Sequence, residues 1–116
     1  MMRSLFLLFA CALGADAALA DAPPAGKRIV DQVCSACHAN DLSEAPQLKQ
    51  PAMWTARLAK GRDALVHSAL NGFTGPTGEE MPPRGGRPEL TDAEIQAAVD
   101  FIISTVSTPT TTRNTP

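Results

Sequence analysis

The residues with the clearest chemistry in this chain are Cys34, Cys37 and His38, which form a C-x-x-C-H segment. On a helix these three side chains fall at i, i+3 and i+4 and therefore project from one face. Two thiols at that spacing can add to the two vinyl groups of one porphyrin edge, and the histidine that follows can bind the iron. The segment predicts one covalently attached haem c, with His38 as an axial ligand of its iron.

Three other uses of the same residues remain open at this point. A thioredoxin-type redox pair needs a βαβ unit, and the sequence shows no convincing strand pattern. A structural zinc site needs four ligands, and outside residues 1–20 only His67 could join the motif. A disulfide between Cys34 and Cys37 would close a very small loop and stabilise the fold little.

The ligand at the sixth position of the iron distinguishes an electron carrier from a haem protein that binds small molecules. Met81 lies in residues 79–86, away from any helical core pattern, where the two prolines that follow it restrict the backbone. We therefore expect Met81 to be the distal ligand, and a neutral thioether favours Fe(II) and raises the reduction potential. The other candidates are Met53, which falls on an amphipathic helix, His67 and, less favourably, Lys60.

The elements that position these residues are predicted to be helical. Thr91 and Glu94 form a capping box, after which Ile95, Val99 and Ile102 repeat at helical spacing. The predicted class is all-α, with about four helices around one covalent haem. The helices are expected at residues 26–37, 51–60, 63–70 and 91–106, with loops at residues 39–50 and 72–90.

Residues 1–20 are predicted to be a secretory signal peptide, cleaved after Ala20. Arg3 gives a basic start, and the apolar stretch that follows is too short to span a bilayer, so stable membrane insertion is not expected. Export would place Cys34 and Cys37 in an oxidising space, and the expected location is the periplasm. Cys11 would be removed with the signal peptide.

The remaining chain suffices for one small domain, assigned to residues 21–106, followed by a tail at residues 107–116. From residue 104 onward Ser, Thr and Pro dominate, a composition that predicts disorder. A domain this small is short of apolar core, and a covalent haem would supply the missing part. The net charge of −2, without a basic patch, argues against nucleic acid as a partner.

Taken together, these motifs resemble the class I, mitochondrial-type cytochromes c, and in detail the short bacterial cytochrome c-five subgroup. The resemblance runs from about residue 26 to residue 106. It is carried by Gly26-Lys27-x-Ile29, the C-x-x-C-H segment, Ala45-Pro46, Trp54-x-x-Arg57-x-x-Lys60-Gly61, Leu70-Asn71-Gly72-Phe73 and Met81-Pro82-Pro83-Arg84-Gly85-Gly86.

The resemblance implies roles for individual residues in a haem pocket. The Pro46 carbonyl would accept the imidazole N–H of the proximal histidine, and Leu48 would pack on the haem. Trp54 would lie beside a haem propionate, with plain core packing as the open alternative. Gly26 and Phe101 would mark the crossing of the first and last helices.

Two positions depart from that pattern. Arg87 and Leu90 stand where many relatives carry a disulfide-forming cysteine pair, and the loop at residues 74–80 is longer than usual. The resemblance implies a non-enzymatic one-electron carrier that docks transiently with redox proteins and can self-associate weakly. The alternatives are a haem protein with a labile sixth site for peroxide, NO or CO, and a small haem subunit of a larger oxidoreductase.

Overall fold

The computed structural model of the protein describes residues 24–107, which are mostly helical, so the predicted all-α class is confirmed. The predicted signal peptide and residues 108–116 of the predicted tail lie outside the described part. None of the described helices is long and apolar enough to cross a membrane.

The described chain contains four helices close to the predicted positions, and a short 3₁₀ turn at Pro83–Gly86. Helix α1 consists of three consecutive segments, Ala25–Ile29, Val30–Cys34 and Ser35–His38. Helix α2 begins as the 3₁₀ turn Pro51–Trp54 and continues as Thr55–Leu58, two residues shorter than expected. Helix α3 is Arg62–Asn71, between glycines at 61 and 72 with positive φ, and helix α4 is Asp92–Ser107.

The middle segment of α1, Val30–Cys34, is π-helical, which the sequence did not predict. A π turn takes in an extra residue, so it changes the direction in which all later side chains of the helix project. It stands between the part of α1 that packs on α4 and the turn that carries Cys37 and His38. The widened turn thus contributes to the direction in which the C-x-x-C-H side chains project.

Helices α1 and α4 cross with their backbones in contact at Gly26. A β-carbon at this position would overlap the carbonyl group of Ala97, so only glycine allows the approach. Phe101 packs beside the crossing, against a core cluster. The buried members of that cluster are Ile29, Val30, Trp54, Ala98, Ile102 and Val106.

Both ends of helix α4 can be compared with the sequence prediction. The predicted capping box is present: the Thr91 amide donates to the Glu94 carboxylate at 2.8 Å, and the Glu94 amide donates to the Thr91 hydroxyl at 3.2 Å. At the other end, residues 104–107 are helical, one residue past the predicted end of the helix, although the composition from residue 104 onward predicts disorder. They continue the helix because Val106, only 3% exposed, belongs to the core.

The segment at residues 72–90, predicted as a loop, contains a small β-hairpin. Strand β1, Phe73–Thr74, pairs antiparallel with strand β2, Glu80–Met81, and places Phe73 opposite Met81. The Gly75 amide donates to the Glu79 carbonyl at 2.7 Å and closes the connecting loop. Strands of two residues are too short to show an alternating pattern, so they cannot be recognised from the sequence. The hairpin positions Met81.

Gly26→Ala is expected to lower the free energy of unfolding by about 1–3 kcal/mol, because the added methyl group must push α1 away from the α4 backbone. Urea denaturation of the purified protein measures the change. Gln32→Ala, on an exposed position of α1, should shift the same quantity by less than about 0.5 kcal/mol. Equal stability of Gly26→Ala and wild type would contradict the close helix crossing.

Candidate functional site

Cys34, His38 and Met81 line one apolar cleft, although they come from distant parts of the chain. Helix α1 contributes the first two, and strand β2 contributes the methionine. Apolar side chains of α3 and α4 complete the walls, among them Ala69, Ile95, Val99 and Ile102. The cleft therefore brings together the thiol, imidazole and thioether that the sequence singled out.

The His38 imidazole is buried, and its orientation is fixed by a hydrogen bond. Its Nδ1 atom lies 2.8 Å from the Pro46 carbonyl oxygen, which can only accept, so Nδ1 carries the hydrogen. The other ring nitrogen, Nε2, is then left with a lone pair, the form that a metal ion binds. The hydrogen bond that the resemblance implies for Pro46 is thus present in the structure.

Burial lowers the pKa of His38, and the positive charge of Arg57 lowers it further, while the hydrogen bond to Pro46 acts in the opposite direction. A lowered pKa favours the neutral imidazole at neutral pH. The desolvated environment therefore keeps this side chain ready to act as an iron ligand without first losing a proton.

The two cysteines of the motif are both free thiols but differ in exposure. Cys34 is half-buried in the cleft, where burial raises the pKa of its thiol, and Cys37 is exposed. The disulfide alternative is therefore not seen. Within residues 24–107, no group of three His, Cys, Asp or Glu residues is arranged as a metal site, and the only strands are those of the short hairpin. The zinc and thioredoxin alternatives gain no support.

Of the four candidates for the sixth iron position, Met81 shares the cleft with His38. Met53 packs against the core cluster that contains Trp54, as expected. His67 is exposed on α3, and the Lys60 ammonium lies 5.1 Å from the centre of the Phe73 ring. Met81 is closer to the core than its loop sequence indicated, because it also packs against a second cluster formed by Val66, Ala69, Ile95 and Val99.

Trp54 and Leu48 pack in the protein core beside the histidine. The Trp54 ring centre lies 5.5 Å from that of His38, and its indole N–H donates to the Gln47 carbonyl at 3.0 Å. Because that N–H already has a backbone partner, this geometry favours the core-packing alternative over contact with a propionate. Leu48 packs against the same cluster, and its amide donates to the His38 carbonyl at 2.8 Å.

Gln47 is a residue that the sequence analysis missed. Its side chain is 5% exposed, and its amide group donates to the carbonyls of Cys37, at 3.0 Å, and Ala45, at 2.9 Å. It therefore ties the end of α1 to the loop that carries Pro46. A single polar residue in a loop has no periodicity or motif, so no signal in one sequence could have found it.

The residues present fit a covalently held haem. The cleft is apolar, its thiol and imidazole come from one helical turn, and a soft thioether lies on strand β2 along the same cleft. Cys37, adjacent to His38 in the chain, would supply the second thiol from the exposed side. This combination of an all-α fold and a haem-binding donor set defines a small class I cytochrome.

Comparisons with known proteins agree with that class. The family model described as cytochrome c oxidase, cbb3-type, subunit III, matches residues 21–102. Cytochrome c-555 of Chlorobaculum thiosulfatiphilum is 37% identical over 79 residues, which are 68% of this chain and 91% of that protein. Cytochrome c5 of Azotobacter vinelandii is 36% identical over 76 residues, 64% of this chain and 86% of that protein.

A solved structure described as an electron transfer complex of nitrite reductase with cytochrome c contains a similar chain. Its TM-score is 0.61 at 34% identity, and the match covers 72% of this chain and 96% of that one. The chain belongs to the class I cytochrome c family and is similar to cytochrome c5 within it. It is an electron-carrier cytochrome with one covalently bound haem c and its iron.

Gln47→Leu keeps the volume of the side chain and removes the donor shared by the Cys37 and Ala45 carbonyls. Because two part-buried hydrogen bonds are lost, the free energy of unfolding should fall by about 0.5–2 kcal/mol. Urea denaturation of the holoprotein measures this loss. Gln50→Leu, at an exposed position of the same loop, is the matched control. Equal effects of the two substitutions would show that the Gln47 bridge is not stabilising.

Proposed function

We propose that this cytochrome is an exported carrier of single electrons in which His38 and Met81 ligate the haem iron from its two sides. The observation that supports this most is that the imidazole and the thioether line the same apolar cleft. When bound, the haem supplies the one-electron couple. The chain supplies the ligands, their orientation and an environment with little water.

The two proposed ligands have different support from the protein. The hydrogen bond from Nδ1 of His38 to Pro46 fixes the ring and makes the other nitrogen a better donor to iron. Met81 is fixed by its strand pairing with Phe73 and by the apolar cluster beneath it. With both axial positions filled from the protein, small molecules lack a site on the iron. This favours the carrier over the alternative with a labile sixth site.

The proposed partners are redox proteins that dock transiently. The chain similar to this one occurs in a structure described as a complex with nitrite reductase, which supports partners of that general kind. Cys37 and Leu42 are exposed close to the iron-binding histidine in sequence, and Leu42 is 95% exposed. Brief contacts over such a small apolar area bury little surface, as transient electron-transfer encounters do.

Export to the periplasm is part of the proposal and rests on residues 1–20. Their basic start, apolar stretch and small residues before Asp21 are typical of a cleaved secretory signal. Free thiols do not persist in an oxidising space, and attachment to the haem would convert both cysteines to thioethers, which is consistent with that location.

A second candidate function is that of a haem subunit within a larger oxidoreductase. The description of the matching family model, which names an oxidase subunit, favours it. Gel filtration of a gently prepared native extract separates the two: a carrier elutes as a small haem protein, whereas a subunit co-elutes with its oxidoreductase.

Met81→Ala tests the proposed ligand set. The variant should lose the far-red sulfur-to-iron charge-transfer band, have a lower reduction potential and bind cyanide readily, because only the histidine remains as an axial ligand from the protein. Visible spectra and redox titration of the oxidised and reduced holoprotein measure these changes.

Met53→Ala is the matched control for that substitution. Met53 is partly buried against the core cluster, so its truncation should lower stability by about 0.5–3 kcal/mol while the far-red band and the potential stay unchanged. A Met81→Ala protein with the wild-type spectrum, or a Met53→Ala protein without the band, would contradict the assignment of Met81.

A further inference from the structure

We propose that Arg84 is the positioning residue of the distal side, holding Met81 in the cleft by binding the segment after it to the start of α4. The side chain of Arg84, the carbonyl of Leu90 and the carboxylate of Asp92 are together called the Arg84 bridge. The inference rests on the proposed function, because it concerns how firmly the proposed distal ligand is held.

The contacts of the Arg84 bridge use the fork shape of the guanidinium group. One terminal nitrogen donates to the Leu90 carbonyl at 2.8 Å, and the other donates to the Asp92 carboxylate at 2.5 Å. The Arg84 side chain is only 27% exposed and that of Asp92 is 65% exposed, so the part-buried contact with the Leu90 carbonyl is better shielded from water than the ion pair with Asp92. Two partners on one rigid fork fix the direction of the side chain as well as its position.

The backbone of Arg84 has a left-handed conformation that the contacts around it hold in place. It is the single non-glycine residue with positive φ among residues 24–107, at φ 55° and ψ 29°. An L-residue adopts this left-handed conformation at a cost, and it persists where other contacts hold it. Gly85 and Gly86 continue the same conformation at φ 62° and φ 80°, so the chain makes a tight turn directly after the two prolines.

That turn connects the distal segment with the haem-binding helix. A β-carbon on Gly85 would lie 2.9 Å from a methyl carbon of Val33, so the turn packs closely on α1. Arg84 itself lines the cleft together with His38 and Met81. Pro82 and Pro83 restrict the backbone between Met81 and Arg84, so a displacement of Arg84 is passed on to the methionine rather than absorbed between them.

The apolar cluster beneath Met81 holds its side chain, but the hairpin pairing that holds its backbone is weak. The hairpin ladder contains two residue pairs, and a ladder that short has little stability of its own. The strand therefore needs support on its C-terminal side, which the Arg84 bridge provides. Arg87 and Leu90 stand where many relatives carry a disulfide-forming cysteine pair. Both positions lie between Arg84 and Asp92, so the Arg84 bridge holds the segment in which that disulfide is missing.

Arg84→Asn removes the guanidinium group without disturbing the backbone, because asparagine tolerates the left-handed conformation. In the oxidised holoprotein we expect cyanide to bind about tenfold faster than in wild type, since the loss of charge-assisted hydrogen bonds makes opening of the distal segment easier. Stopped-flow absorbance with potassium cyanide measures the rate. Arg84→Lys, which keeps the charge without the fork, should fall between the two.

Arg87→Gln is the matched control, because Arg87 pairs with Glu89 on the exposed side of the same segment. It should leave the cyanide rate unchanged. Asp92→Asn leaves the Arg84 backbone untouched and provides the test if Arg84→Asn fails to assemble with haem. In the double variant Arg84→Asn plus Asp92→Asn, the cyanide-binding rate should increase by less than the product of the two single-variant increases, because both substitutions remove the same interaction.

The outcomes distinguish the two levels of the proposal. A native protein with the far-red band, together with wild-type cyanide rates in Arg84→Asn and Asp92→Asn, would overturn the Arg84 bridge and leave Met81 as ligand. A native protein without that band would overturn the ligation by Met81 itself. Equal acceleration by Arg84→Asn and Arg87→Gln would also overturn the bridge, since a general loss of surface charge would then explain the effect.

Discussion

In the proposed site, one helical turn presents two thiols and an imidazole to a single ring, and the rest of the fold serves that constraint. The turn lies at the end of α1, where the last helical residue is His38. Three features hold it in place: the crossing with α4 at Gly26, the π-helical segment that ends at Cys34, and the loop at residues 45–48. Without them, the spacing of the motif alone would not direct its side chains into the cleft.

The loop after α1 shows how a short segment can set both geometry and electrostatics. Pro46 accepts from the imidazole, Gln47 donates to the helix end and to Ala45, and the Gln47 carbonyl accepts from Trp54. These bonds satisfy buried polar groups that would otherwise oppose folding. They also hold His38 in a desolvated place, where its pKa is lowered and the neutral ligand form is favoured.

Local patterns in the sequence predicted a large part of this arrangement. The C-x-x-C-H segment, the capping box of α4 and the four helices were recognisable because each depends on residues within a few positions of one another. The π-helical segment, the hairpin that carries Met81, the buried Gln47 and the Arg84 bridge were not recognisable. The π-helical segment and the two-residue strands show no periodic pattern, and Gln47 and Arg84 are single polar side chains whose hydrogen-bond partners no sequence pattern indicates. The composition of residues 104–107 predicts disorder, but the burial of Val106 in the core keeps this segment helical.

The central claim is that iron is held between an imidazole from α1 and a thioether from the hairpin. X-ray absorption at the iron edge of the oxidised native protein tests it most directly, because it reports the atoms bound to the metal. The account predicts one sulfur scatterer together with the nitrogens of the porphyrin and of a single imidazole. A first shell without sulfur, or with a second imidazole in its place, would contradict it.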